Sequence, residues 1–303
     1  MEVAMYNSPI TIESLLVLDA IDSRGSFAGA AEQLNKVPSA LSYIVQKLEE
    51  QLSVTLFVRQ GRRSVLTPAG RHLLEEGRKL LGAVSKIAEQ TQTISHGWEP
   101  KIRIAIDSIF DVKTLYPVLK TFLDEHPNIE IDLSEEVMNG AWEALIEDKA
   151  DILIGAPAPV PSHQGIRTMK MGQLRQKLVV GKDHELTRYE QPISKMDLHN
   201  FRTVVVHDSA KKAVPWSSNI IEQSRHFYVE TVEQKVQAIS AGIGIGFLPV
   251  CRIEQQLKSG SLVTIELEEI NDSFDIFMAW KLVNKGKGLQ RLREILEQQI
   301  VMT

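Results

Sequence analysis

The sequence predicts an α/β protein in three parts, and three patterns along its 303 residues support this. Apolar residues recur at helical spacing over residues 1–66. A seven-residue apolar repeat then runs through residues 67–97, which is typical of one long helix. From residue 98 to residue 303, short apolar segments alternate with helical ones, as expected for a parallel sheet with crossover helices.

Three short helices are predicted in the N-terminal part, and the last two form a helix-turn-helix. Thr11 and Ser26 are typical helix N-caps, and Gly25 is a typical residue to end the first helix. Pro38 fits the first turn of the third helix, because its missing N–H costs little there. The apolar face of the third helix consists of Leu41, Val45, Leu48 and Leu52. In a helix-turn-helix, the second helix enters the major groove of DNA.

The other face of the third helix and a basic hairpin after it together predict a DNA-binding surface. Small and polar side chains on this face offer hydrogen bonds and carry no negative charge. The hairpin R-Q-G-R-R at 59–63 is typical of a wing, which contacts phosphates beside the groove. The helix pair alone would leave a purely structural interpretation open, because any helical hairpin shows such an apolar pattern. The predicted DNA-binding residues are Ser26, Pro38, Ser39, Ser42, Tyr43, Gln46, Lys47, Arg59, Arg62 and Arg63.

Residues 67–97 predict one long helix that pairs with a second copy of itself. Thr67 and Pro68 form a typical helix start, and apolar residues repeat every seven positions as far as Ile94. A helix of about 29 residues with one apolar face is not stable alone in water, so a partner helix is expected. The alternative is that this face packs against the C-terminal domain of the same chain. The predicted dimerisation residues are Leu73, Leu80, Val84, Ile87 and Ile94.

The C-terminal part is predicted to begin with a parallel sheet. Residues 96–100 combine glycine, tryptophan and proline and mark the domain boundary. Beyond them, strand and helix patterns alternate, which implies parallel strands with right-handed crossovers. The strands are predicted at 101–106, 129–133 and 150–155, with helices at 112–125 and 140–147.

Two crossings of the chain predict that residues 98–303 form two lobes. Three prolines between residues 157 and 161 mark the first crossing, and a strand of the second lobe is expected at 176–180. Lobe I is predicted at 98–158 and 267–303, and lobe II at 159–266. Two lobes joined in this way form a hinged cleft, as in periplasmic binding proteins.

A ligand is expected in the cleft between the two lobes. Ligands of parallel sheets bind beyond the carboxyl ends of the strands, where Ser108 and Ile109 follow the first strand. A helix start near Ser108 favours an anion, and the aliphatic and aromatic neighbours favour an organic acid or an aromatic compound. The alternatives are that Ser108 is a simple helix cap and that His207 only lies on the cleft rim. The predicted effector-binding residues are Ser108, Ile109, Val137, Ala156, His207, Thr231 and Phe247.

The composition argues against several other classes of protein. Cys251 is the one cysteine, which excludes disulfides within the chain and cysteine-cluster metal sites and fits a reducing cytoplasm. No apolar run approaches the ~18 residues of a membrane helix, and residues 1–30 lack a signal-peptide pattern, so a cytoplasmic protein is expected. The histidines show no metal-ligand spacing and no nucleophile motif is present, so neither an enzyme nor a metal or cofactor is expected. The net charge of -5 means that DNA affinity requires a local basic patch.

Residues 11–97 resemble the N-terminal part of LysR-type transcriptional regulators. The residues that carry the resemblance are Phe27, Ala30, Ala31, Ser39, Ala40, Leu41, Ser42, Leu48, Glu49, Leu56, Phe57, Arg59 and the segment L-T-P-A-G at 66–70. The resemblance implies a ligand-responsive regulator that binds double-stranded operator DNA as a homodimer or homotetramer. It also implies a small-molecule effector in a periplasmic-binding-protein-like domain. The alternative is a small-molecule binding protein without DNA function, which the basic wing opposes.

The chain departs from this family at the third helix. The family often has glutamine where this chain has Pro38, and arginine and glutamine where it has Tyr43 and Ile44. Arginine and glutamine read base edges through paired hydrogen bonds. Recognition is therefore expected to depend more on thymine methyl groups and on the shape of the DNA.

Overall fold

The computed structural model describes residues 8–61, 63–162, 165–213, 221, 223–268 and 272–300. The chain divides into two compact units, one that ends at Ser95 and one that begins at His96. Each unit has its own hydrophobic core. Within the described ranges, no helix is long and apolar enough to cross a membrane.

The three predicted N-terminal helices are confirmed as α1 (Ile12–Arg24), α2 (Phe27–Gln33) and α3 (Pro38–Leu52). The Thr11 hydroxyl accepts the N–H of Ser14 at 3.0 Å, which satisfies a free donor at the start of α1. The Ser26 hydroxyl does the same for Gly29 in α2, at 3.1 Å. Gly25 adopts a φ of 67° after α1, in the left-handed region that glycine tolerates best.

The three helices are held together by an apolar core. The predicted face of α3 lies in this core, with Leu41, Val45 and Leu48 buried and Leu52 half-buried. Burying one such leucine or valine side chain contributes about 1.5–3 kcal/mol. The other large residues of this core are Leu15, Leu18, Ile21, Leu56, Leu66 and Leu74.

The predicted wing is confirmed as a hairpin of β1 (Phe57–Gln60) and β2 (Arg63–Leu66). The strands are antiparallel, and the last pair of the hairpin is Gln60 with Arg63. Glu49 of α3 accepts the N–H of Leu56 at 2.6 Å and that of Phe57 at 3.1 Å. These contacts fix the wing beside α3. Arg62 lies outside the described residues.

The long helix α4 (Pro68–Ser95) completes the N-terminal unit. Its first half packs on α1, where Leu74 is buried and Gly77 faces Leu15. A Cβ at Gly77 would come within 2.6 Å of the Leu15 Cδ2 atom, so this glycine permits the close approach of the two helices. Arg78 adds ion pairs with Asp19 and Asp22. Gly77 therefore packs within its own N-terminal unit.

The C-terminal unit alternates strands and helices. In chain order it contains β3 (Lys101–Asp107), α5 (Tyr116–Glu125), β4 (Glu130–Glu136), α6 (Asn139–Ile146), β5 (Ile152–Pro157), β6 (Ile166–Gly181), β7 (Thr203–Val206), β8 (His226–Val229), α7 (Val232–Ser240), β9 (Gly246–Pro249), α8 (Glu254–Ser259), β10 (Leu262–Ile265), β11 (Ser273–Lys281) and α9 (Lys287–Ile300). β3 pairs in parallel with both β4 and β5, as predicted. Among the described strands the main sheet has the order β10-β6-β11-β5-β3-β4, with β9 paired to β6.

β6 runs through both lobes, so the boundary between the lobes lies within this strand. Its first part, residues 166–175, pairs with β11 of lobe I. Its last part, from Gln176 to Gly181, pairs with β9 and β10 of lobe II. The chain therefore crosses near Gln176 and not at the prolines at 157–161, so the predicted start of lobe II at residue 159 is too early. Residues 166–175 are largely polar, because one face of this part of β6 is largely exposed. The strand was therefore not predicted from an apolar pattern.

Lobe II adds a small parallel sheet of β7 and β8, in which Thr203 pairs with His226. β8 has four residues, too few for a clear alternating pattern. The turn between α7 and β9 is compact, since Gly242 has a φ of 77°. A Cβ at Gly244 would approach the Arg202 carbonyl oxygen to 2.3 Å. These glycines allow β9 to lie close to β7.

Candidate DNA interface and ligand cavity

The outer face of α3 is exposed opposite its buried leucines. Tyr43 on this face is 65% exposed. The Ser42 hydroxyl donates to the Pro38 carbonyl oxygen at 3.0 Å, and the Gln46 amide donates to Glu50 at 3.0 Å. Both are contacts within the helix, so the oxygen atoms of Ser42 and Gln46 retain accepting capacity. The predicted residues Pro38, Ser39, Ser42, Tyr43, Gln46 and Lys47 all lie on this exposed side.

A shallow groove joins the outer face of α3 to the wing. It is lined by Ser26 at the start of α2, by Ser42 and Gln46 of α3, and by Arg59 of the wing. The Arg59 Nε donates to the Gly61 carbonyl oxygen at 3.2 Å, which leaves other guanidinium donors available. Arg63 is exposed on β2. The structure therefore brings together predicted residues that are up to 33 positions apart in the chain, from Ser26 to Arg59.

The second half of α4 presents an exposed apolar stripe. The exposed fractions are 54% for Leu80, 40% for Val84, 62% for Ile87 and 59% for Ile94. Large apolar side chains in one row at this exposure are typical of an interaction surface. Leu73 differs, because it is half-buried against the core of its own N-terminal unit.

The C-terminal unit contains a cavity of about 270 Å³ between its two lobes. Ser108, Ile109 and Val137 line it from lobe I, and Phe247 lines it from lobe II. All four were predicted from the sequence. The walls are largely apolar, which is typical of a cavity for a small organic molecule.

Three predicted effector residues do not line this cavity, and in each case a neighbour in the chain does. Ala156 is fully buried in β5, and Pro157 lines the cavity instead. His207 is exposed and stacks on Tyr228, with ring centroids 4.9 Å apart, while Val206 lines the cavity. Thr231 caps α7 by accepting the N–H of Gln234 at 3.1 Å, and Val232 lines the cavity. Side-chain direction decides these positions, and it depends on the exact register of each element.

Asp107, a carboxylate at the end of β3, was not among the predicted effector-binding residues. It is 1% exposed and lines the cavity. One oxygen accepts the N–H of Ile109 and the other that of Met138, each at 3.1 Å. Burial raises the pKa of Asp107 to about 8. The signal in the sequence was an acidic residue at the end of the otherwise apolar segment I-A-I-D, where a buried carboxylate could line the ligand site.

Lys235 on α7 was not among the predicted effector-binding residues either. Lys235 lies on the apolar side of α7 with Val232, Val236 and Ile239, and it is 9% exposed. Burial lowers the pKa of Lys235 to about 8, because the ammonium loses contact with water. Across the cavity, the Ser108 hydroxyl is buried and has no hydrogen-bond partner within the described part of the chain. The cavity wall therefore contains two polar groups that a ligand could satisfy.

Both units of the chain match known family models. The model described as "Bacterial regulatory helix-turn-helix protein, lysR family" matches residues 12–71, and "LysR substrate binding domain" matches residues 95–300. The chain belongs to the LysR family. The family consists of transcription regulators, so the predicted class of a ligand-responsive DNA-binding regulator is confirmed, and so is the predicted combination of an N-terminal helix-turn-helix with a two-lobed α/β domain.

Several relatives of this LysR-type regulator match over nearly the whole chain. The probable HTH-type transcriptional regulator YhaJ of Escherichia coli (strain K12) is 36% identical over 287 residues, which cover 94% of this chain and 96% of that protein. The HTH-type transcriptional regulator PunR of the same strain is 32% identical over 286 residues, covering 93% and 91%. Among solved structures, the Corynebacterium glutamicum OxyR C206 mutant has a TM-score of 0.61 at 18% identity and covers 97% and 94%, which shows a shared fold.

A contact between the lobes of this LysR-type regulator lies beside the ligand cavity. Asp208, from the loop after β7, accepts the N–H of Gly140 at 3.0 Å and that of Asn139 at 3.3 Å. The Ser209 hydroxyl donates to Glu136 at 2.7 Å and accepts the N–H of Val137 at 2.9 Å. We call residues 208–213 the interlobe latch, because this segment of lobe II is held on α6 of lobe I.

Glu143 of α6 holds the second half of the interlobe latch. One of its oxygens accepts the N–H groups of Lys211, Lys212 and Ala213 at 2.8–3.1 Å. These donors favour the ionised form and lower the pKa of Glu143 to about 2. The stability from this contact is therefore present above the ordinary pKa of a glutamate and is lost as the pH falls through about 2.

Proposed function

We propose that this regulator reads operator DNA with the outer face of α3 while the wing contacts the phosphate backbone. The groove in which Ser42, Gln46 and Arg59 meet is the observation that supports this assignment most strongly. A reading helix beside a basic hairpin can contact base edges and phosphates together. The proposed DNA contacts are Ser26, Pro38, Ser39, Ser42, Tyr43, Gln46, Lys47, Arg59, Arg62 and Arg63.

A band-shift assay with genomic fragments of the source organism tests the proposal directly. The full-length protein should retain a small set of fragments in the presence of excess competitor DNA. Retention of none would support the alternative, a small-molecule binding protein without DNA function. Footprinting of the retained fragments should then show protection over half-sites about one helical turn apart, or a multiple of it.

Substitutions at Arg63 and Tyr43 should separate affinity from specificity. Arg63→Ala removes a phosphate contact, so it should weaken binding to all operator variants similarly and lower the salt slope by about 1. Tyr43→Ala removes an exposed side chain that can contact a thymine methyl group, so it should change the ranking of operator variants. Fluorescence anisotropy at several salt concentrations measures both effects, and Lys195→Ala in the C-terminal unit serves as the charge-matched control. An equal loss across all variants for Tyr43→Ala would contradict its role in reading bases.

The protein is proposed to act as a homodimer formed along α4, or as a homotetramer built from two such dimers. The stripe of Leu80, Val84, Ile87 and Ile94 supports this, because a second copy of the helix would remove it from water. Leu73 was predicted to take part as well, and its contact with its own core argues that the dimer seam starts after it.

The cavity between the lobes is proposed to hold a small organic effector, an organic acid or an aromatic compound. Ile109, Val137 and Phe247 supply the apolar contacts, and Ser108 supplies a hydroxyl. The described lining contains no nucleophile–base pair, which favours ligand binding over catalysis. The ligand shifts the lobe arrangement only by its differential affinity for two states. Its proposed effect is on how the dimer spans or bends the operator, in the cytoplasm where bacterial DNA lies.

Filling the cavity should abolish the ligand response and leave DNA binding intact. Ile109 is half-buried at the cavity wall, so Ile109→Trp adds an indole to a space of about 270 Å³. The variant should still bind operator but should lose ligand-dependent changes in the footprint and in thermal stability. Val283→Trp is the matched control, because Val283 is 76% exposed and lies outside the cavity lining. A normal ligand response in Ile109→Trp would contradict the proposed site.

A further inference from the structure

The side chain of Lys235 lines the cavity and passes close to a glycine on the neighbouring strand. A Cβ at Gly246 of β9 would come within 2.7 Å of the Lys235 Cε atom. Glycine at this position leaves room for the lysine stem beside β9, where Lys235 lines the cavity.

The ammonium of the buried residue Lys235 forms no ion pair within the described part of the protein. Asp107 is the other titratable residue among the described residues that line the cavity. Both oxygens of Asp107 already accept backbone N–H groups, from Ile109 and Met138. Burial lowers the pKa of Lys235. Removing an ammonium from water without a partner is costly, so an anionic ligand that pairs with Lys235 would offset this cost.

A second unsatisfied group lies in the opposite wall of the same cavity. Ser108 of lobe I is 1% exposed, and its hydroxyl has no partner in the described ranges. A buried hydroxyl without a hydrogen bond also carries a desolvation cost. A carboxylate can accept a hydrogen bond from the ammonium and another from the hydroxyl, and would thereby connect the two lobes.

We propose that Lys235 makes the cavity selective for small monocarboxylates with an apolar body, with Ser108 as the second donor. This rests on the proposed function of the cavity and assigns the group that reads the ligand's charge. One cation can compensate one anionic group, and a second carboxylate would be buried beside Asp107 without a partner. The apolar body lies against Val137, Val206 and Phe247.

The test compares the full-length protein with its Lys235→Met and Lys195→Met variants. Thermal shift and calorimetry use three probe pairs, benzoate with benzamide, phenylacetate with phenylacetamide, and hexanoate with hexanamide, together with adipate. Wild type and the exposed-lysine control Lys195→Met should bind at least one monocarboxylate, and bind it more tightly than its amide and than adipate. Lys235→Met should lose about tenfold or more in affinity for that carboxylate, and it should bind the amide unchanged.

The stability of the unliganded variant separates a ligand-binding role from a structural one. Lys235→Met should melt at a higher temperature than wild type without ligand, since it removes a buried unpaired charge. A lower melting temperature would mean that Lys235 stabilises the fold and would overturn the inference. So would equal binding of each carboxylate and its amide, or no binding of any monocarboxylate. Operator binding in the band-shift assay reports on the proposed function separately, and it should be normal for Lys235→Met.

Discussion

A Leu80→Asp, Ile87→Asp double variant is expected to lose the dimer that the protein is proposed to form along α4. The two side chains are seven residues apart on one face of α4 and are 54% and 62% exposed in the single chain. In a dimer, the substitutions would bury like charges against each other, at a cost of several kilocalories per mole. Light scattering measures the mass. Operator affinity should fall about a hundredfold or more, because two linked reading helices bind far more tightly than one.

The same change on the opposite face of α4 provides the control. Ser85 and Gln92 are also seven residues apart and exposed, and helical geometry places them away from the stripe. Ser85→Asp, Gln92→Asp therefore adds equal charge at a similar helix propensity and should leave the dimer intact. If the Leu80, Ile87 variant keeps the wild-type mass, α4 is not the interface between protomers.

A Gly140→Ala substitution is expected to open the interlobe latch. A Cβ at this position would lie 1.9 Å from the Ser209 hydroxyl oxygen and 2.7 Å from the Ser209 carbonyl carbon. The loop cannot stay on α6 at that distance, so the hydrogen bonds of Asp208 and Ser209 should be lost. Their combined loss should cost about 3 kcal/mol. This should lower the melting temperature of the C-terminal unit by about 6–12 °C.

Hydrogen exchange locates the effect of this substitution within the fold. The amides of Asn139 and Gly140 donate to Asp208, so they should exchange faster in Gly140→Ala than in wild type. Gly82→Ala is the matched control, because a Cβ at this helical glycine would meet no neighbouring atom within 4 Å. Unchanged melting and exchange in Gly140→Ala would show that the latch does not hold the lobes together.

Elements set by contacts within a few residues could be predicted well. Thr11, Ser26 and Pro38 marked helix starts because a cap or a first-turn proline acts on the next three residues. Ala156, His207 and Thr231 each lie one residue away from a residue that lines the cavity, at Pro157, Val206 and Val232. A shift of one residue turns a side chain to the other face, and the sequence pattern locates element ends less accurately than that.

The sequence by itself determined the helix-turn-helix, the wing, the long amphipathic helix and the parallel start of the C-terminal sheet. These features depend on the period of apolar residues and on local capping, which are readable along the chain. Only the tertiary structure decided that β6 serves both lobes, that Gly77 packs on Leu15 and that Lys235 lines the cavity beside Gly246. These depend on which distant segments meet, and an apolar period shows which side of an element is buried but not what covers it.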